Sequence, residues 1–126
     1  MATIDITSEN MNELISNNDC VIIDFWAPWC GPCKGFAPVY EELSEKYSDV
    51  VFAKVNTEDQ QQLASEFEIR SIPTLMIFRE QIILFSQPGA LQGPQLEQVL
   101  DQVLGLDMDE VRKDIEKQQA EEETKQ

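Results

Sequence analysis

The sequence contains no histidine and only three cysteines, and these two shortages exclude several kinds of site. A structural zinc site takes about four cysteine or histidine ligands, which is more than this chain offers. A cysteine protease needs a histidine base, and there is none. A secreted disulfide framework has an even set of cysteines at scattered spacings, whereas this set is odd. The shortage of cysteine and histidine therefore argues against a structural zinc site, a cysteine protease and a secreted disulfide scaffold.

Positive charge is also scarce, with 9 lysine and arginine residues against 24 aspartate and glutamate residues. The net charge of −15 repels nucleic-acid backbones and anionic membrane surfaces, so we expect neither as a partner. The sequence has no run of about 18 apolar residues, so we expect no transmembrane helix. The N-terminus has neither the basic nor the apolar region of a signal peptide. With few cysteines and no export signal, the sequence predicts a cytoplasmic protein.

What the chain does have is a Cys-Gly-Pro-Cys motif where a strand gives way to a helix. Residues 21–25 form an apolar run typical of a buried strand, and residues 34–47 carry apolar side chains at helical spacing. Cys30 thus lies at a helix N-terminus, where backbone N–H groups and the helix dipole favour a thiolate. We expect a redox pair with Cys30 as exposed nucleophile and Cys33 as shielded resolving thiol. A purely structural pair is the alternative.

The remaining pattern predicts one α/β domain over residues 1–106, with the order βαβαβαββα. The predicted strands are Ile4 to Ile6 and residues 21–25, 50–55, 74–78 and 82–85, and the predicted helices run from Thr7 or Ser8 to Asn17 and over residues 34–47, 59–67 and 93–104. Strands joined through a helix should be parallel and the last two antiparallel, which gives a mixed five-stranded sheet with about four helices in a three-layer α/β/α sandwich.

Two segments of the pattern carry further expectations. The turn between the last two strands lacks an Asn-Gly pair, so we expect it to be longer or strained. Residues 107–126 form an acidic C-terminal extension, for which we expect a short helix from about Met108 to Lys117 and then a disordered end.

Several stretches resemble the thioredoxin family, in order and at the family's spacing. They are residues 24–34 (DFWAPWCGPCK), 37–38, 53–56, 69–75 and 88–91. The likeness covers roughly residues 1–105 and implies the thioredoxin fold. It also implies a general protein disulfide reductase that works by dithiol–disulfide exchange and takes part in cell redox homeostasis.

The resemblance implies a role for each matching residue at the cysteine pair. Cys30 attacks a substrate disulfide, and Cys33 resolves the mixed disulfide, which leaves a Cys30–Cys33 disulfide. Asp24 corresponds to a buried acid that relays a proton to or from Cys33, with a pKa raised by its apolar neighbours. Lys54 corresponds to the lysine near that acid. A structural acid at a strand end is the alternative for Asp24.

The resemblance further implies a flat apolar surface for substrates. Its residues are Trp29, Gly31, Pro32, Ile72, Pro73, Gly89 and Ala90. The Ile72–Pro73 bond is expected to be cis, and the backbone before it to pair with an extended substrate. The implied partners are disulfide-containing proteins and an NADPH-dependent flavoprotein thioredoxin reductase, with no cofactor or metal in the chain itself, which is expected to be a monomer.

Alternatives to a reductase remain open at this point. A non-catalytic binding module would use the surface around Trp29, Pro73 and Gly89. An oxidase or isomerase would need export and a higher reduction potential, and the Gly-Pro between the cysteines offers no imidazole to stabilise a thiolate. Gly35 departs from the family's pattern, because it stands where the family usually has a bulky apolar residue. The third cysteine, Cys20, is expected to be a buried apolar side chain rather than a third redox group.

Overall fold

Strand β2 lies at the centre of a five-stranded sheet in the computed structural model, which describes residues 3–124. The elements in chain order are β1 (Thr3–Asp5), α1 (Met11–Asn17), β2 (Cys20–Trp26), α2 (Gly31–Lys46), β3 (Val51–Asn56), α3 (Gln61–Glu66), β4 (Thr74–Arg79), β5 (Ile82–Pro88), α4 (Gly93–Leu104) and α5 (Met108–Thr124). None of the helices in this described part is both long and apolar enough to cross a membrane.

The strand order across the sheet is β1-β3-β2-β4-β5. Strand β3 is parallel to both β1 and β2, whereas β4 is antiparallel to β2 and β5 to β4. The parallel strands are joined through helices, as parallel neighbours require. The predicted three-layer sandwich with a mixed five-stranded sheet is therefore confirmed, with five helices over residues 3–124 instead of about four.

Both faces of β2 are covered, which explains its nearly continuous apolar sequence. Ile22 belongs to a buried cluster with residues of α2 and α4, such as Tyr40. Ile23 and Phe25 belong to a second cluster with residues of α1 and α3. Because side chains alternate between faces along a strand, Asp24 lies on the same face as Ile22, in the layer between the sheet and α2.

Helix α1 begins later than the sequence predicts. Its N-cap is Asn10, so Thr7 and Ser8 lie in the preceding turn and do not cap the helix. The side-chain oxygen of Asn10 accepts a hydrogen bond from the N–H of Thr7 at 2.8 Å, and the Thr7 hydroxyl accepts one from Glu9 at 3.2 Å. These local bonds use the same groups that would otherwise cap a helix, which delays its start.

The turn between β4 and β5 contains only two residues, so the longer of the two expected forms does not occur. Glu80 and Gln81 have φ angles of 50° and 69°, a left-handed conformation that costs non-glycine residues energy. The strained alternative is thus the one observed. The N–H of Glu80 donates to the carbonyl of Asp19 at 2.7 Å, which fixes the turn against the start of β2.

Arg79 connects the end of β4 to the junction of α4 and α5. Its Nη1 donates to the carbonyl oxygens of Val103, Leu104 and Leu106 at 2.9, 3.1 and 2.8 Å. Its Nε lies 3.5 Å from a carboxylate oxygen of Asp19, an ion pair without hydrogen-bond geometry. The guanidinium therefore satisfies the last carbonyl groups of α4 and neutralises that helix end.

Helix α5 continues to Thr124, past the expected end at Lys117. Its first turn is attached to the domain, because Met108 is buried and Arg112 forms an ion pair with Glu80 of the β4–β5 turn. Residues 116–123 are exposed to solvent.

Candidate active site

Cys30 is the N-cap residue of α2, directly after the loop that follows β2. Its Sγ accepts a hydrogen bond from the N–H of Cys33 at 3.3 Å, as a serine or aspartate oxygen does at an ordinary N-cap. Pro32 lies in the first turn, where its missing N–H costs no helical bond. The helix continues through Pro38 to Lys46. The sequence thus places one sulfur where backbone N–H groups converge.

Cys30 and Cys33 form a disulfide, with their Cα atoms 5.3 Å apart. Both residues are buried, at 5% and 3% exposure, so the expected exposure of Cys30 is not observed in the disulfide form, whereas Trp29 beside them is 66% exposed. The two buried sulfur atoms thus lie next to an exposed indole ring in the chain. Gly31 and Pro32 are also exposed in the first turn of the helix.

A cis peptide bond between Ile72 and Pro73 faces this disulfide. The carbonyl oxygen of Ile72 lies 3.9 Å from Sγ of Cys30, and the carbonyl of Pro73 accepts a hydrogen bond from the N–H of Gly89 at 2.7 Å. Gly89 has a φ of 103°, which a residue with a Cβ rarely adopts. The loops before β4 and after β5 therefore meet beside the cysteines, with Ala90 exposed next to Gly89.

Asp24 is buried, at 1% exposure, and neither of its carboxyl oxygens has a hydrogen-bond partner in the described structure. Burial raises its pKa from 3.8 to about 7, although the charge of Lys54 acts in the opposite direction. This confirms the expected direction. A carboxyl group that titrates near neutrality can both accept and release a proton at physiological pH.

Lys54 is the registered partner of Asp24 on β3, and its Nζ lies 4.5 Å from the centroid of the Trp26 ring. The ammonium group is held over the indole face, where cation–π attraction favours it. The hydroxyl of Tyr40 is directed elsewhere, since it contacts the carbonyls of Ile22 and Ala53 at 3.0 and 2.7 Å. These neighbours leave the Asp24 oxygens unpaired.

Cys33 and Asp24 occupy the same layer of the fold. Cys33 lies on the buried side of α2, together with Phe36 and Tyr40, and this side packs on the sheet face that carries Asp24. The arrangement combines a disulfide at a helix N-terminus with a buried carboxyl group of matched pKa beneath the helix. It is suited to thiol–disulfide exchange coupled to proton transfer.

Sequence reasoning missed a groove beside the disulfide, of about 180 Å³. It is lined by residues of four separate segments, namely Trp29, Thr57, Ala64, Ile69, Arg70, Ser71 and Ile72. The sequence feature that could have indicated this groove is Arg70, a cation three residues before the proline that faces the cysteines.

Cys20 lies at the opposite end of β2 and is buried, as expected. Burial, together with the charge of Asp19, raises its pKa to about 11, so its thiol stays protonated at neutral pH. Among residues 3–124 there is also no cluster of three or more Cys, Asp or Glu side chains that would hold a metal ion.

Comparison with known proteins agrees with this geometry. The family model described as Thioredoxin matches residues 2–102. A protein of Streptomyces coelicolor that carries the name thioredoxin 2 is 55% identical over 119 residues, covering 94% of this chain and 89% of its own length. Thioredoxin 1 of Synechococcus elongatus is 45% identical over 93 residues, covering 73% of this chain and 87% of its own. A solved structure of a mutant thioredoxin from Halobacterium salinarum superposes with a TM-score of 0.77 at 30% identity, covering 83% of this chain and 93% of that one.

Proposed function

Because the chain belongs to the thioredoxin family and reduces protein disulfides by dithiol–disulfide exchange, we propose that Cys30 is its nucleophile and Cys33 its resolving thiol. The observation that carries this assignment is the position of Cys30 at the N-cap of α2, where its sulfur accepts a hydrogen bond from the N–H of Cys33. A thiolate at that position is stabilised by the helix terminus, whereas Cys33 lies within the first turn and on the buried side.

The exchange proceeds in two steps that move two electrons to the substrate. The Cys30 thiolate attacks one sulfur of a substrate disulfide, the substrate S–S bond breaks, and the second substrate sulfur leaves as a thiolate. Cys33 then loses its proton and attacks Sγ of Cys30. The bond between Cys30 and the substrate breaks, the substrate leaves with both sulfurs reduced, and the Cys30–Cys33 disulfide forms.

Asp24 is proposed as the group that takes the proton from Cys33 in the second step. Its pKa of about 7 and its position beneath α2 support this role, because an acceptor works best when its pKa is near the working pH. Lys54 adjusts that acceptor, since its positive charge lowers the pKa that burial raises.

The surface around the disulfide is proposed to bind an extended substrate segment. Trp29 offers an exposed apolar ring, and Ile72 offers backbone groups beside Cys30. The exposed residues Gly31, Pro32, Gly89 and Ala90 complete this surface, whereas Pro73 is buried and contributes through its carbonyl, which holds Gly89. An extended segment paired with the backbone of Ile72 would bring its own disulfide to Cys30.

The oxidised protein needs an electron donor, and we propose an NADPH-dependent flavoprotein thioredoxin reductase for this step. A monomeric state and a cytoplasmic location complete the proposal. The net charge of −15 supports the monomer, because like charge opposes self-association. Residues 1–106 are proposed as the working domain and residues 107–126 as an extension that catalysis does not need.

Reduction of insulin disulfides in the presence of dithiothreitol tests the assignment. We expect turnover well above the dithiothreitol blank, loss of that turnover in Cys30→Ser, and full retention in the control Cys20→Ala. Reduced Cys33→Ser, freed of dithiothreitol before insulin is added, should accumulate a covalent complex with insulin, because the mixed disulfide on Cys30 then has no resolving thiol. A complex that forms in Cys30→Ser through Cys33 would reverse the two roles.

A further inference from the structure

Acidic residues are absent from three of the segments that surround the disulfide, whereas Glu58 and Asp59 follow Thr57, which lines the groove beside Trp29. Residues 25–40, 69–79 and 81–96 contain no aspartate or glutamate, although the chain has 24 of them. These segments supply the first half of α2, the loop with the cis proline and the loop that contains Gly89. Most of the face on which substrates are proposed to bind is therefore built from segments that carry no negative charge.

Cations show the opposite distribution. Lys46 pairs with Glu97, and Arg79 and Arg112 pair with acids at the other end of the sheet. Over residues 3–106, the exposed cations without a carboxylate partner are Lys34 and Arg70. Both belong to the active-site face, because Lys34 follows Cys33 directly and Arg70 lines the groove beside Trp29.

Distance and screening decide which charges a bound segment senses. The first acid on α2 is Glu41, about 16 Å along the helix from Cys30 at about 1.5 Å per residue. Surface charges are largely screened beyond about 8 Å at physiological ionic strength. Glu68 precedes Arg70 by two residues without pairing with it in the described structure. Lys34 lies on a segment without acids. Arg70 shares its groove with the segment that carries Glu58 and Asp59, and neither acid forms an ion pair with it in the described structure, so both cations are free to meet a substrate carboxylate.

We propose that Lys34 and Arg70 select substrate segments that carry aspartate or glutamate next to the disulfide cysteines. This inference rests on the proposed function and specifies its substrate class. The guanidinium of Arg70 can hold a carboxylate through two parallel hydrogen bonds. Lys34, the residue after Cys33, adds a second positive charge. A carboxylate near the attacked sulfur gains these contacts while the body of the protein repels acidic surfaces elsewhere.

Three peptides of the same length, each with one internal disulfide, test this selection. The residues beside the cysteines are glutamate, glutamine or lysine, and each rate of reduction is divided by the rate with dithiothreitol, which corrects for the intrinsic reactivity of the peptide. We expect the wild-type protein to reduce the glutamate peptide about five-fold faster than the glutamine peptide, as two exposed ion pairs allow. The lysine peptide should be slowest, and the preference should shrink at about 1 M salt.

The double variant Lys34→Gln/Arg70→Gln should bring the glutamate-to-glutamine ratio close to one. The ratio removes any change in the reactivity of Cys30 that loss of nearby cations would cause. The matched control is Lys113→Gln/Lys117→Gln, which removes two exposed cations from α5 and should keep the wild-type ratio. Equal ratios in the wild type and the site variant would overturn the selection. Failure to reduce any peptide would instead contradict the proposed function.

Discussion

The two ends of strand β2 accommodate a charged side chain in opposite ways. Near its C-terminal end, Asp24 is buried with both carboxyl oxygens unpaired. Near its N-terminal end, the strand is paired with Arg79, whose guanidinium donates to three carbonyl oxygens and lies beside Asp19. At one end of the strand, the buried carboxyl group of Asp24 therefore has no hydrogen-bond partner. At the other end, the guanidinium of Arg79 is bonded through Nη1, and only its Nε has no hydrogen-bond partner.

This difference separates chemistry from structural support. An unpaired buried carboxyl group costs stability, and the cost appears as a pKa raised to about 7, which is the property that proton transfer requires. A guanidinium bound to helix carbonyls has a fixed charge and fixed geometry, so it supports the fold and transfers no proton. We expect substitutions at the first end to change the rate of exchange and the pH dependence of both rate and stability, and those at the second end to change stability alone.

The largest expected effect is on the stability of Asp24→Asn. The folded carboxyl group keeps its proton up to a pKa of about 7, whereas the unfolded group loses it near 3.8, so the wild-type free energy of unfolding falls as pH rises between these values. The variant lacks this loss and should be more stable above pH 7, by roughly 4 kcal/mol at most. Urea unfolding at pH 4 and pH 8 measures the difference. If the variant gained the same free energy of unfolding at both pH values, ionisation of Asp24 would not be the cause of the gain.

The next effect is at the other end of the strand. Arg79→Met keeps the apolar stem but removes the donor to the carbonyls of Val103, Leu104 and Leu106, and it should destabilise the fold by about 3 kcal/mol. The rate of disulfide reduction, measured well below the melting temperature, should stay unchanged. Lys46→Met is the matched control, because its ion pair with Glu97 is exposed, and it should cost far less. A slower reaction in folded Arg79→Met would break the proposed division between the two ends.

A smaller loss is expected from Met108→Ala. Met108 is the buried residue at the start of α5, and its truncation should cost about 2 kcal/mol, the lower part of the range for such changes. Thermal unfolding measures this loss, with Val111→Ala at a half-buried position of the same helix as comparison. Equal stability of Met108→Ala and the wild type would show that α5 is not anchored by this side chain.

Asp24→Asn should also slow the second step of exchange by about ten-fold near pH 7, because Cys33 loses its proton acceptor. Rapid-mixing measurements of the release of a reduced peptide report this step. The slowing should fade as pH rises and hydroxide takes the proton instead. A pH–rate profile identical to that of the wild type would return Asp24 to a structural role.

The smallest effect is expected from deletion of residues 118–126. Residues 118–123 are exposed, so their removal should change stability by less than about 0.5 kcal/mol and leave disulfide reduction unchanged. A deletion that starts at residue 107 also removes Met108 and should be the less stable of the two. Comparison of the two truncations by thermal unfolding locates the part of α5 that supports the domain.

Sequence reasoning succeeded where the signal is local. The apolar run of β2 and the helical spacing of α2 identified both elements, and the apolar neighbours of Asp24 predicted the direction of its pKa shift. It failed at helix ends, where alternatives of similar energy compete. Asn10 and Thr7 bond to each other and delay α1. The predicted end of α5 is too early, because glutamine, glutamate, lysine and alanine residues favour a helix even where the segment is strongly acidic.

The groove that contains Arg70 was missed for a different reason. Its lining comes from the loop after β2, the residue after β3, helix α3 and the segment before β4, so it exists only once the sheet is assembled. Periodicity along the chain carries no information about such a surface. Family resemblance indicated the residues nearest the cysteines but not how the charges around them are paired.

The bond from the N–H of Cys33 to Sγ of Cys30 has a spectroscopic consequence. The same sulfur that caps α2 is proposed to attack the substrate, so any change in its charge alters the hydrogen bond that this amide makes. The amide of Cys33 is therefore a built-in reporter, whose proton chemical shift should follow the ionisation of Cys30 in a titration of the reduced protein. A magnetic resonance spectrum of one backbone position would thus follow the reactive state of the enzyme without any label on the sulfur.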